Sequence, residues 1–97
     1  MYEYLRIGII GGGQFAKNLL PHALHSGLNV SLMDKEKNAP WAKKKSFFKN
    51  GDPMEFEDVI KFGEKLDILT VYNDNVNIAA LKQLNERGVK IYPFLYQ

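Results

Sequence analysis

Three consecutive glycines, Gly11, Gly12 and Gly13, followed by Gln14, Phe15 and Ala16, are the first residues of this 97-residue chain whose types and spacing point to chemistry. They form a G-x-G-x-x-A pattern directly after an apolar run over residues 5–10. Glycines at such a place let the chain turn tightly and let an anion approach the backbone. A helix opening there offers unpaired N–H groups and a partial positive charge. Asp34 follows Gly13 by 21 positions, at the end of the next apolar run, where a nicotinamide enzyme holds the adenosine ribose. Taken alone, the two features fit NAD or another phosphorylated ligand. They fit plain packing as well, with glycines for close strand–helix approach and an aspartate that merely ends a strand. A second polar loop, Tyr72-Asn73-Asp74-Asn75-Val76, supplies one carboxylate and two amides. Such groups suit a substrate pocket when they converge on it, and they equally suit helix capping.

Other chemistry finds little support, and no residue is assigned a catalytic role. With no cysteine in the chain there is no thiolate nucleophile, no disulfide scaffold and no cysteine-ligated metal site. His22 and His25 are three apart but belong to no His-Glu-x-x-His motif, so surface or partly buried histidines are expected and no metal site is assigned. None of Ser26, Ser31 and Ser46 has a G-x-S-x-G setting. The net charge is +2, yet six of the eleven lysines fall between Lys35 and Lys49, where Glu36 is the only acid. A nucleic-acid binder would add a recognisable motif or interleaved aromatics. Phe47 and Phe48 adjoin the lysines but, as consecutive residues, would face opposite sides of a strand. A solvated lysine-rich loop is therefore the reading adopted, with no nucleic-acid partner. Trp41, after Pro40, reads as an anchoring hydrophobe.

These residues need a scaffold, and its outline follows from length and periodicity. A chain of this length holds one core and one domain. Hydrophobic residues at 45% and charged residues at 25% are ordinary for a globular chain and exclude collagen-like and disordered classes. No apolar stretch approaches the roughly 18 residues of a membrane span and no signal-like segment opens the chain, so a cytoplasmic protein without a membrane partner is expected. Residues 5–10 read as a first strand. Residues 14–26 read as a helix containing Pro21, with a bend near Lys17 and Gly27 as its stop. Residues 29–34 read as a second strand and 46–49 as a short third, closed by Asn50-Gly51. Asp52, Pro53 and Glu55 form a capping box that opens a helix continuing to about Lys65 through Phe56, Val59, Ile60 and Phe62. Residues 67–72 read as a fourth strand, with Asn75 as a candidate cap for a last helix. Ile78, Leu81 and Leu84 give that helix its apolar face, and Arg87-Gly88 ends it. Residues 89–92 make a fifth strand. Strands alternating with helices imply a Rossmann-like, doubly wound parallel α/β sheet in order 3-2-1-4-5. Its ligand crevice would open between strands one and four. The tail after Tyr92, with Phe94, Leu95 and Tyr96, either folds back on the sheet or leads into further structure.

Several of these pieces together resemble one family. They are Ile7-Gly8-Ile9-Ile10 with the glycine loop and Gln14, Asp34 with Ala39-Pro40-Trp41-Ala42 after it, Gly51-Asp52-Pro53, and Asp67-Ile68-Leu69-Thr70 with Asn75-Val76. From about Leu5 to Pro93 the chain is similar to the N-terminal domain of 5-(carboxyamino)imidazole ribonucleotide synthase, the ATPase subunit of phosphoribosylaminoimidazole carboxylase. The resemblance implies a pre-ATP-grasp domain, a Rossmann-like module that typically does not bind NAD and that precedes an ATP-grasp domain. It also implies that the whole enzyme uses ATP, magnesium and bicarbonate to carboxylate the exocyclic amine of aminoimidazole ribonucleotide in purine biosynthesis. This domain would help wall the ribonucleotide site and form a homodimer. On that view Gly11, Gly12, Gly13 and Gln14 line the substrate cleft, and Asp74 matches the second acid of the family's T-Y-E-F-E-N-V motif. The first acid of that motif is Tyr72 here, and the Leu-Gly-Arg usual after the glutamine is Phe15-Ala16-Lys17. The chain ends before any ATP-grasp sequence, so the expectation is a domain fragment that holds no ATP or magnesium itself and does not catalyse alone. The alternative from a different class is a stand-alone NAD(P)-binding or regulatory module in which Asp34 binds the cofactor.

Overall fold

The structure, a computed structural model, describes residues 5–11, 21–22, 25–35, 48–72 and 75–92. Five strands run through it: β1 (Arg6–Gly11), β2 (Asn29–Asp34), β3 (Phe48–Asn50), β4 (Ile68–Tyr72) and β5 (Lys90–Tyr92). They form one sheet in the order β3-β2-β1-β4-β5, with every adjacent pair parallel. This is the doubly wound order that the alternation of strands and helices implies. Two helices are described, α1 (Phe56–Gly63) between β3 and β4 and α2 (Ile78–Glu86) between β4 and β5. Pro21, His22 and His25 are also helical, and the Ser26 N–H donates to the His22 carbonyl at 3.0 Å, so the end of the expected first helix is in place before Gly27. The expected bend near Lys17, most of the lysine cluster, Trp41 and the tail after Tyr92 lie outside the described residues.

Side chains alternate across the sheet and build two cores. On one face Ile10, Met33, Leu69, Val71 and Ile91 meet Val59 and Ile60 of α1 and Ala80, Leu81 and Leu84 of α2. On the other face Ile9, Val30 and Leu32 pack with Ile7, Leu28 and Phe48. Burying each such aliphatic side chain contributes about 1.5–3 kcal/mol, so these two layers supply most of the driving force for folding.

The ends of the elements depart from the sequence expectations in instructive ways. The third strand runs on to Asn50, one residue past its expected end, and the fourth and fifth begin one residue late. Asp52 and Glu55 do not form a capping box. Instead, Asp52 closes a turn by accepting from the Met54 N–H at 2.9 Å, while the Asp58 carboxylate accepts from the Asp52 N–H at 2.9 Å. Helix α1 then starts at Phe56 with Glu55 as an N-cap whose side chain makes no capping bond, and it ends at Gly63, short of Lys65. The cap of α2 is Asn77 and not Asn75: its Oδ1 accepts from the Ala80 N–H at 2.9 Å. Ile78 is 45% exposed, whereas Ala80, Leu81 and Leu84 are fully buried. A three-residue recurrence falls about 60° behind the helix at each step, and this carries Ile78 off the buried stripe.

The end of α2 follows the sequence closely. The Val89 N–H donates to the Leu84 carbonyl at 3.0 Å and the Gly88 N–H to the Asn85 carbonyl at 3.1 Å, which is the paired bonding of a Schellman motif. Gly88 takes φ 104°, a conformation that side chains disfavour, and Val89 and Leu84 join the same core.

The amino edge of the sheet is locked by Arg6 and Asp67. The Asp67 carboxylate accepts from the Arg6 N–H at 2.8 Å and from its guanidinium Nε at 3.3 Å. The Asp67 N–H donates to the Arg6 carbonyl at 2.8 Å, and the Asp67 carbonyl accepts from the Lys90 N–H at 3.0 Å. One residue thus ties the starts of β1, β4 and β5. The Arg6 backbone N–H, followed by its guanidinium, holds the Asp67 carboxyl below its ordinary pKa.

Candidate functional site

The carboxyl edge of the sheet is where ligands bind in folds of this class, at the point where strand order reverses. Strand β1 runs to β2 on one side and to β4 on the other, so the reversal falls at its end, Gly11. Gly11 has φ 76°, in the left-handed region that favours glycine, so the first glycine of the loop is required by its backbone conformation. In register, Gly11 lies opposite Tyr72 of β4, and Ile10 lies opposite Met33, the residue before Asp34 in β2. Asp34 in turn pairs with Asn50 of β3. Tyr72, Gly11, Asp34 and Asn50 therefore line one edge, each on the sheet face away from α1 and α2.

This edge is well tied on the β2–β3 side. The Asn50 amide donates to the carbonyls of Asp34 and Lys35 at 3.2 and 3.1 Å, and the Gly51 N–H donates to the Asp34 carbonyl at 3.1 Å. One carboxylate oxygen of Asp34 accepts from the Lys35 N–H at 2.7 Å, which fixes the side chain beside its own backbone. Lys35 reaches toward Asp52 at 3.9 Å. On the β4 side, Asn77 joins two loops. Its N–H donates to the Pro53 carbonyl at 2.8 Å and its side-chain amide to the Met54 carbonyl at 3.1 Å. The turn before α1 and the loop leading into α2 are thereby held together at the same edge.

Of the sequence-derived site residues, the structure brings Gly11 and Asp34 to this edge; Gly12, Gly13, Gln14 and Asp74 lie outside the described residues. Asn50 was read from the sequence only as a turn former, and Asn77 was not singled out. Their signal was an asparagine immediately after a strand or before an apolar run, which turn and cap chemistry share. His22 and His25 are exposed, and among the described residues no three of His, Cys, Asp and Glu come together as a metal site requires. No helix among the described residues is long and apolar enough to cross a membrane. A groove of about 680 Å³ lies elsewhere, on the α1 face. Asn29, Ser31 and Met33 floor it, Lys49 lines the β3 side, and Lys61 and Lys65 line the helix side. Asn29 and Ser31 give this groove polar groups on β2, and the reversal of strand order keeps the candidate site at Gly11. What the edge offers is backbone and side-chain groups for binding and orienting a ligand.

The model of one family, the ribonucleotide synthetase preATP-grasp domain, matches residues 4–95. The chain belongs to that family. Relatives of this preATP-grasp domain carry consistent names. The chloroplastic phosphoribosylaminoimidazole carboxylase of Vigna aconitifolia is 27% identical over 96% of the chain and 16% of its own length. Among solved structures, N5-carboxyaminoimidazole synthase from Aspergillus clavatus, in complex with ADP and 5-aminoimidazole ribonucleotide, superposes with a TM-score of 0.79. It is 29% identical and is matched over 97% of this chain and 25% of its own. N5-carboxyaminoimidazole ribonucleotide synthetase from Thermotoga maritima gives a TM-score of 0.77 at 28% identity, over 92% of this chain and 25% of its own. The preATP-grasp domain thus spans 16–25% of the length of these relatives.

Proposed function

We propose that this preATP-grasp domain is the N-terminal part of an ATP-dependent enzyme that carboxylates aminoimidazole ribonucleotide with bicarbonate in purine biosynthesis, and that it walls one side of the ribonucleotide pocket. The observation that carries the proposal is the match over 97% of the chain to a synthase crystallised with that ribonucleotide and ADP. In this reading Gly11, Gly12, Gly13 and Gln14 line the ribonucleotide cleft, and Gly11 has the left-handed backbone that a tight turn there needs. Asp74 accepts a hydrogen bond from the exocyclic amine and orients it before attack, which is the kind of positioning that lowers the entropic part of a barrier. ATP activates bicarbonate. It and magnesium belong to other parts of the longer enzyme. A cytoplasmic location and a homodimer to which this domain contributes complete the proposal.

The test is kinetic. In the longer enzyme, Asp74→Ala is expected to impair use of the ribonucleotide and leave the KM for ATP in place; unchanged KM and turnover for the ribonucleotide overturn the assignment. Asp34 at the end of β2, beside Gly11, also suits the ribose of a dinucleotide, so titration with NADH separates the two classes. Saturable micromolar binding that Asp34→Ala weakens would favour an NAD(P) module.

A further inference from the structure

Of the eight asparagines in the chain, Asn50 is the one followed by glycine, and the fold uses both residues of the pair. Asn50 ends β3, and its exposed side-chain amide donates to the carbonyls of Asp34 and Lys35 at 3.2 and 3.1 Å. A Cβ on Gly51 would sit 2.7 Å from the Sδ and 3.2 Å from the Cγ of Met33, a buried core residue, so a larger residue there would have to displace it. Packing and hydrogen bonding thus place at the carboxyl edge the dipeptide most prone to lose its asparagine amide. A glycine leaves the following nitrogen without a side chain to shield it.

In that reaction the Gly51 nitrogen gives up its proton to solvent base and bonds to the Asn50 Cγ. The Cγ–Nδ2 bond breaks, ammonia leaves, and water opens the resulting succinimide at either carbonyl to give aspartate or isoaspartate. Both reacting groups are engaged in the closed structure. The Gly51 N–H donates to the Asp34 carbonyl at 3.1 Å, which holds the proton that must leave, and the carboxamide is pinned by its own two bonds. We infer that Asn50 is a spontaneous deamidation site gated by local opening of β3: three bonds to Asp34 and Lys35 suppress the reaction, which proceeds when they part. Strand β3 is three residues long, pairs with β2 at the edge of the described sheet, and is seated by Phe48 against Ile9, Val30 and Leu32. Opening it costs less than unfolding the central strands. The product cannot close the edge again. A carboxylate has no donor for the two carbonyls, and isoaspartate adds a methylene to the main chain, so the end of β3 beside Asp34 stays loosened after a single event.

The full chain and a peptide of residues 46–55 are kept side by side in mildly alkaline buffer, and mass spectrometry follows loss of the Asn50 amide and gain of isoaspartate. The chain should react roughly tenfold or more slowly than the peptide, the ratio expected when three exposed hydrogen bonds must part first. Phe48→Ala removes the ring that seats β3 and keeps both reacting residues. It should recover much of the difference while circular dichroism still shows a folded chain. Hydrogen exchange of the wild type gives a second reading that needs no variant: the Gly51 amide should be protected, yet exchange well before those of β1 and β4. Equal rates in chain and peptide overturn the gate. So does a folded Phe48→Ala chain that reacts no faster than wild type, or a Gly51 amide that exchanges together with β1 and β4. A peptide that keeps its amide overturns the site itself.

Discussion

Replacing Asn77 by alanine removes two bonds at the candidate edge, the cap of α2 and a link to the turn before α1. Its Oδ1 accepts from the Ala80 N–H at 2.9 Å and its Nδ2 donates to the Met54 carbonyl at 3.1 Å, whereas its backbone bond to Pro53 survives the substitution. Loss of an N-cap side chain costs about 1 kcal/mol. The bond to Met54 adds about 0.5–1 kcal/mol, toward the lower part of the usual range because that bond is exposed. The sum is about 1.5–2 kcal/mol, which for a domain of this size lowers Tm by roughly 6–16 °C. Urea unfolding followed by far-UV circular dichroism should show an earlier midpoint with the same slope. Asn77→Asp separates the two contributions. It keeps the cap acceptor, and because the first turn of α2 has no acid the new charge gains about 0.3–1 kcal/mol from the helix end, but it has no donor for Met54. It should therefore fall between wild type and Asn77→Ala. A Tm for Asn77→Ala within about 2 °C of wild type would refute the reasoning, and so would equal losses for alanine and aspartate.

Two further substitutions probe the core and the amino edge. A Cβ at Gly63 would sit 2.5 Å from the Leu84 Cδ1, and Leu84 is fully buried. Gly63→Ala should therefore destabilise by about 1–2 kcal/mol after its gain in helix propensity, and combining it with Leu84→Ala should cost less than the sum of the two in urea unfolding. The Asp67 carboxyl, held below its ordinary pKa by Arg6, contributes stability that is complete above the unfolded-state value of about 4 and is lost as pH falls through the lower native value. Thermal melts between pH 7 and pH 2.5 should show a steeper acid decline for wild type than for Asp67→Asn, and parallel declines would count against the pair.

The sheet was legible because each strand is a short apolar run bounded by glycine, asparagine or aspartate, and because strand–helix alternation leaves few topologies. Gly11 and Asp34 were legible as edge residues for the same reason. The caps were not. Asn75 and Asn77 are equally good candidates by type, and the choice is made by the carbonyls of Pro53 and Met54, more than twenty residues away in sequence. Likewise Asp52 and Glu55 have the spacing of a capping box, yet Asp58 reaches the Asp52 N–H first and moves the start of α1 to Phe56. The place of Tyr72 at the edge was hidden for a related reason. Its type suits any strand, and only its register with Gly11 brings it to the reversal of strand order.

The Arg6–Asp67 lock and Gly11 stand at opposite ends of the same strand, separated by five residues. At about 3.3 Å per residue that is roughly 16 Å, about twice the screening length in physiological salt. Protonation of Asp67 is therefore nearly invisible at the carboxyl edge. Acid tolerance and ligand affinity become separately tunable properties of one small sheet, so a lineage, or an engineer, can alter the charge pairing at one end without retuning recognition at the other.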